Sequence, residues 1–172
     1  AGMRVDYVGE GLDVEGLAGT WHEQLVKWFA EAQEAGFPEV NAMVLATANA
    51  EGQPSSRTVL CKGFDERGVV FYTNYTSSKS HDLRATRYAS ATFPWYPQHR
   101  QVHVRGPVET VSPEETQVYW AQRPRGAQLG AWASAQSEVI PDREWLESRL
   151  ADVDAQFPDE VPRPPHWGGF RL

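Results

Sequence analysis

The residues of this chain best suited to chemistry are two groups of cations set among hydroxyls, and the chemistry they suit is anion binding. Arg57 and Lys62 bracket the segment R-T-V-L-C-K, and Y-T-N-Y-T-S-S-K places Tyr72 and Thr73 ahead of Ser77, Ser78 and Lys79. If Ser77 opens a helix, the free N–H groups, the hydroxyls and Lys79 form a phosphate seat. Each charge-assisted bond there contributes on the order of 1.5–3 kcal/mol. Simple N-capping by Ser77 accounts for the same residues without a ligand. Arg57 and Lys62 have opposite parity, so a regular strand points them to different faces. A bulge, a bent strand end or a ligand wrapping the edge is needed for both to meet one molecule; solvent-facing charges are the alternative. Tyr119 and Arg123 stand at i and i+4 on one helical face, as a surface pair or as a second anion clamp. Gln128 to Trp132 and the pair Gln136-Ser137 supply amides and hydroxyls able to read the edge of a heterocycle.

Other chemistries lack their residues. The five histidines, His22, His81, His99, His103 and His166, fall into no H-E-x-x-H or Cys/His spacing, so no zinc site is expected. Neither G-x-G-x-x-G after a strand nor G-x-x-x-x-G-K-[ST] occurs, which argues against a Rossmann site or a P-loop. There is no G-x-S-x-G elbow, and the lone Cys61 reads as a small buried packing residue.

The elements that must position these groups follow from periodicity. Residues 1–19 are Gly-rich and acidic and read as an N-terminal arm, leaving 20–172 as a single domain. T-W-H-E at Thr20 is a capping box opening a helix whose stripe is Trp21, Leu25, Trp28, Phe29 and Ala32, ended by Gly36 and Pro38. Strands are expected at Ala42–Ala48, Ser55–Lys62, Val69–Thr73, Ala89–Tyr96 and Gln101–Val111, the last bent at Gly106-Pro107. Helices are expected at 77–87, from the Ser112-Pro113-Glu114-Glu115 capping box to about Arg123, over 125–134, and over 143–157 with Trp145, Leu146, Leu150 and Val153 inward. The final W-G-G-F-R-L reads as a strand just beginning, without a partner signal. Short strands joined by tight turns, with helices at the ends, predict an α+β domain on an antiparallel barrel.

Composition narrows the function classes. A net charge of −7 argues against a nucleic-acid partner bound through a broad basic surface. One cysteine, no apolar run near the roughly 18 residues of a membrane span, and no signal-peptide core together predict a cytoplasmic protein without a membrane partner. Seven Trp, seven Phe and six Tyr are available both to fill a core and to stack on a planar ligand.

Taken together, R-T-V-L-C-K, F-Y-T-N-Y-T-S-S-K, F-P-W-Y-P-Q-H-R-Q, Y-W-A-Q-R-P-R-G-A-Q-L-G-A-W-A-S-A-Q-S and W-G-G-F-R make the chain closely resemble the pyridoxine/pyridoxamine 5′-phosphate oxidase family, from Met3 through Arg171. The resemblance implies an FMN-binding split β-barrel, dimeric, with two FMN clefts at the subunit interface. The implied reaction oxidises pyridoxine or pyridoxamine 5′-phosphate to pyridoxal 5′-phosphate, with O₂ as acceptor and hydrogen peroxide as product. Carried over by position, Arg57, Thr58, Val59, Leu60, Cys61 and Lys62 lie along FMN. Tyr72, Thr73, Ser78, Lys79, Gln101, Gln136 and Ser137 also match FMN contacts. Lys62, Tyr119 and Arg123 match substrate contacts, as do Arg4 and Tyr7 of a segment that closes over the substrate.

The chain departs from the family pattern in three places. Ser78 stands where an Arg often flanks the FMN phosphate, and Ala127 replaces a Ser that commonly touches the substrate phosphate. The family pattern also continues past W-G-G-F-R into F-W-Q-G and R-x-H-x-R. That segment supplies a Trp and an Arg for FMN and the Arg and His expected to be catalytic, and the chain reads as lacking it.

Overall fold

The computed structural model describes residues 11–172. Arg4 and Tyr7, and most of the expected arm, lie outside the described residues. The described residues form eight strands, β1 (Ala42–Ala48), β2 (Pro54–Leu60), β3 (Gly63–Asp65), β4 (Gly68–Asn74), β5 (Tyr88–Trp95), β6 (Arg100–Pro107), β7 (Glu109–Thr110) and β8 (Trp167–Arg171). The helices among them are α1 (Trp21–Glu34), α2 (Ser78–Thr86), α3 (Pro113–Ala121), α4 (Arg125–Ala133) and α5 (Arg143–Gln156). Strands pair antiparallel throughout, in the orders β2-β1-β5-β6 and β3-β4-β8-β7. These two sheets with peripheral helices are the α+β split barrel expected from the sequence.

Two crossings between the sheets shape the site. After Leu60 the chain leaves the first sheet: the Cys61 N–H donates to Asn41 O at 2.8 Å, and the Lys62 N–H donates to Val70 O at 2.8 Å. Lys62 has therefore changed sheets, and the strand alternation that separates it from Arg57 stops at Leu60. The second crossing, at Pro107, splits the expected strand 101–111 into β6 and β7, one in each sheet. Proline lacks the N–H that a continuous ladder needs.

Met43, Leu45, Phe71, Phe93 and Trp95 fill the core between the sheets, each at most 2% exposed. A second cluster, including Trp120, Leu129, Val153, Val161 and Trp167, lies among α3, α4, α5 and β8. Helix α1 has the expected capping box, with Leu25 and Ala32 buried. Trp21 departs from the expected core stripe: its ring is 48% exposed and flanks an open groove beside Val102 and Val104. Trp145, expected inward, is also exposed, since it sits on the first turn of α5 while the helix meets the core at Val153.

The largest correction concerns the terminal strand. W-G-G-F-R is fully buried, pairing with β4 on one side and β7 on the other. Its partner β4 is remote in sequence, so no local turn announces the pairing. The glycines are required by neighbouring rings. A Cβ on Gly168 would lie 2.2 Å from Tyr75 Oη, and one on Gly169 would lie 2.8 Å from the Tyr72 ring. Arg171, 3% exposed, reaches Asp65 at 3.1 Å, Glu115 at 2.6 Å and Glu109 at 3.7 Å, tying β8 to β3, α3 and β7. Among the described residues, no helix is long and apolar enough to cross a membrane, and no His/Cys/Asp/Glu cluster could hold a metal.

Candidate functional site

Where the first sheet gives way to the second, β2 and the turn after it face the end of β4, the start of α2 and the end of α3. A cleft of about 300 Å³ opens there, lined by Arg57, Thr58, Val59, Leu60, Lys62, Tyr72, Thr73, Lys79, Tyr119, Arg123 and Gln136. A second cleft of about 240 Å³ shares Tyr72, Thr73, Arg123 and Gln136 with it and continues along α4 past Ala127, Gly130, Ala131 and Ser134 to Trp167. Arg57, Lys62, Lys79 and Arg123 converge on these clefts, and among the described residues no carboxylate lines either. Three larger grooves elsewhere, of about 560, 480 and 410 Å³, are each lined by a single arginine, Arg105 in the first and third and Arg149 in the second, and by no acid. Chemistry, and not size, marks the site.

Lys79 sits at the start of α2, buried. Its ammonium donates to Thr73 Oγ1 at 3.1 Å, Ser77 Oγ at 3.1 Å and Gln136 Oε1 at 2.9 Å. All three partners are neutral. Burial, and then the nearby Arg57 charge, push its pKa down to about 8. Ser77 occupies the N-cap position, but its hydroxyl bonds Ser80 and Lys79 and caps no backbone N–H. The simple capping explanation therefore fails. Instead the Ser78 N–H donates to Ser137 Oγ at 3.3 Å, so the Gln136-Ser137 turn closes over the helix start; Ser137 adopts φ 76° to do so.

Arg57, on the exposed edge strand β2, is held from behind. One guanidinium nitrogen donates to Thr47 Oγ1 at 2.7 Å and to Leu45 O at 3.4 Å; the other donates to Ser55 Oγ and lies 3.9 Å from Asp82. Burial lowers its pKa, and Asp82 opposes that shift.

Arg123 follows α3 and lies over the Trp167 ring, 4.6 Å from its centroid, with one nitrogen donating to Ala127 O at 2.7 Å. Its Nε is buried without a hydrogen-bond partner, an uncompensated donor beside the cleft. Burial lowers the Arg123 pKa, and Tyr119 opposes this. Tyr72 and Tyr119 stack at 4.2 Å, and Trp167 lies nearly parallel to both, forming an aromatic wall. Burial first, then Glu115, pushes the Tyr72 phenol up to about 12, so it stays a neutral donor.

The structure thus gathers most of the residues the sequence singled out, Val59 and Leu60 among them. Ser78 and Ser137 join through the turn over α2. Cys61 does not line the cleft: its thiol faces the core and donates to Gly63 O at 3.3 Å. Gln101 is exposed on β6, at the opposite edge of the first sheet from Arg57, and lines neither cleft. Trp167 and Ser134 line the site but were not among the expected residues. The W-G-G signal for Trp167 was present, since adjacent glycines beside a buried Trp mark close packing.

A buried ammonium and half-buried guanidinium donors, in clefts that no carboxylate lines and beside an aromatic wall, fit a planar ligand carrying phosphate.

A family model described as pyridoxamine 5′-phosphate oxidase matches residues 29–157. A pyridoxine/pyridoxamine 5′-phosphate oxidase of Saccharopolyspora erythraea is 64% identical over 173 residues, covering 99% of this chain and 78% of the relative. One so named from Mycobacterium leprae is 52% identical over 180 residues, covering 100% of this chain and 82% of the relative. Among solved structures, PhzG from Burkholderia lata, in complex with tetrahydrophenazine-1-carboxylic acid, superposes with a TM-score of 0.86 at 32% identity, over 92% of this chain and 78% of that one. An FMN-binding, pyridoxamine 5′-phosphate oxidase-related protein from Nostoc punctiforme shares the fold, with a TM-score of 0.71 at 17% identity, over 91% of this chain and 82% of that one. With the model spanning most of the sequence and relatives alike over nearly all of it, the chain belongs to the pyridoxamine 5′-phosphate oxidase family.

Proposed function

We propose that the protein is an FMN-dependent oxidase converting pyridoxine 5′-phosphate or pyridoxamine 5′-phosphate to pyridoxal 5′-phosphate. The observation that carries this reading is the pair of joined clefts, where four cations meet an aromatic wall and no carboxylate intrudes. FMN, when bound, would supply the two-electron redox chemistry, with O₂ reduced to hydrogen peroxide; for the amine substrate, water then hydrolyses the oxidised C4′ imine to the aldehyde and ammonia. The chain's own residues bind and orient. Lys79, Arg57, Thr73 and the start of α2 hold the FMN phosphate. The Arg123 guanidinium and the Tyr119 hydroxyl hold the substrate phosphate, while Lys62 orients the pyridine ring. Gln101, remote from the clefts of its own chain, reaches FMN from a second copy, which makes the working unit a homodimer with FMN at its interface.

A second reading keeps the fold and the flavin but changes the substrate to a reduced phenazine carboxylate. The likeness to PhzG favours it. The greater identity to the oxidases of the B6 phosphates, and the two separate anion clamps, favour the first. The test is the visible spectrum of the purified protein, followed by peroxide and aldehyde formation from each B6 phosphate and from a dihydrophenazine carboxylate. A protein that stays colourless in excess FMN overturns both readings; turnover of the phenazine alone overturns the first.

A further inference from the structure

Arg57 stands on an edge strand whose neighbouring side chains are mostly exposed, a setting in which an arginine ordinarily samples many rotamers. Here its guanidinium is fixed by two hydroxyls, and both hydroxyls are fixed in turn by one carboxylate. Asp82 Oδ2 accepts from Thr47 Oγ1 at 2.6 Å and from Ser55 Oγ at 3.3 Å. A hydroxyl has one proton and two lone pairs. With their protons committed to Asp82, Thr47 and Ser55 have only lone pairs to offer Arg57, and those are what its two nitrogens contact. At 3.9 Å the direct ion pair makes no hydrogen bond, so the hydroxyls supply the directional contacts to Arg57 while Asp82 adds a non-directional attraction. Asp82 lies three residues after Lys79 on α2 and does not line the cleft, whereas Arg57 and Lys79 both do.

We propose that Asp82 is a positioning residue, which through Thr47 and Ser55 holds Arg57 ready for the phosphate of the flavin nucleotide. This rests on the reading of the cleft as the FMN phosphate seat. A guanidinium fixed before the ligand arrives loses little rotamer freedom on binding, so its charge-assisted bond reaches the complex undiminished. With asparagine at position 82 the amide can donate as well as accept, the hydroxyl protons lose their fixed direction, and Arg57 is released.

The experiment measures binding of FMN and of riboflavin, which lacks the phosphate, to flavin-free protein by fluorescence. The expected result for Asp82→Asn is about a tenfold loss of FMN affinity, with riboflavin affinity unchanged. Thr47→Val, which breaks the relay but keeps the carboxylate, lowers FMN affinity in the same selective way. In an Arg57→Ala background, Asp82→Asn has no further effect, because its only route to the ligand is gone. An unchanged preference for FMN over riboflavin in Asp82→Asn overturns the proposal. So does an equal loss for both ligands, or a loss that persists without Arg57, either of which marks a merely structural role. If the wild-type protein itself does not prefer FMN to riboflavin, the phosphate-seat reading fails first and the proposal falls with it.

Discussion

Lys79 offers a pH test of the phosphate seat. Its ammonium is buried among three neutral oxygens beside Arg57, which places its pKa at about 8. In the ligand-free protein, about nine in ten molecules carry the charge at pH 7 and about one in ten at pH 9. A phosphate is a dianion throughout that window, its second ionisation lying near pH 6, and once bound it keeps Lys79 protonated. Binding above pH 8 therefore takes up a proton, and FMN affinity should fall about tenfold between pH 7 and pH 9. The same group acts on stability with the opposite sign. Its folded pKa lies below the ordinary 10.5, so burying the charge costs stability below pH 8, and that cost is relieved as pH rises toward 10.5. The assay is fluorescence titration of flavin-free protein with FMN at each pH, with riboflavin as the phosphate-free control. Lys79→Arg, charged across the whole window, should show no decline. A flat FMN affinity from pH 7 to 9 in the wild type, or an equal decline in Lys79→Arg, refutes the reasoning.

Three further outcomes are expected from single substitutions. Arg123→Ala should raise the KM for the B6 phosphates by about ten- to a hundredfold while FMN stays bound, since the change removes a charge-assisted clamp; flavin loss with an unchanged KM would contradict that assignment. Arg171→Met removes a cation shared by Asp65, Glu109 and Glu115, but all three acids reach solvent and Arg67 still pairs with Asp65, so the change should cost only about 1–2 kcal/mol in urea unfolding; a loss several times larger would show that the acids are left without solvent. Gly169→Ala forces a methyl group to within 2.8 Å of the Tyr72 ring and Val111, and should cost about 1–3 kcal/mol while disturbing the aromatic wall. Thermal unfolding and flavin affinity should drop together, and an unaffected flavin affinity would separate that wall from the binding site.

What could be read before the structure, and what could not, divides by the range of the signal. The capping box at Thr20 and the Pro113 helix start are statements about residues a few places apart, and both helices begin where their own residues put them, whereas Arg123, expected on one helical face with Tyr119, lies past the end of α3 at Ala121. The burial of W-G-G-F-R was invisible because its partner β4 lies far back in the chain, and nothing near Trp167 encodes that pairing. The same range limit explains Arg57 and Lys62. Strand parity forbade their meeting on one regular strand, and the resolution is a change of sheet at Cys61 that combines a bond to the remote Asn41 with the local hairpin that brings Val70 to Lys62. Asp82 shows the limit most sharply. As a lone acid in the middle of a helix it carries no motif, and only the packing of α2 across β1 and β2 brings it to Thr47 and Ser55. The residues that line the clefts sit largely in short, chemically distinctive strings. A residue that acts only by orienting one of them has no string of its own, and it becomes visible only when the hydrogen bonds are followed one step back from the cleft.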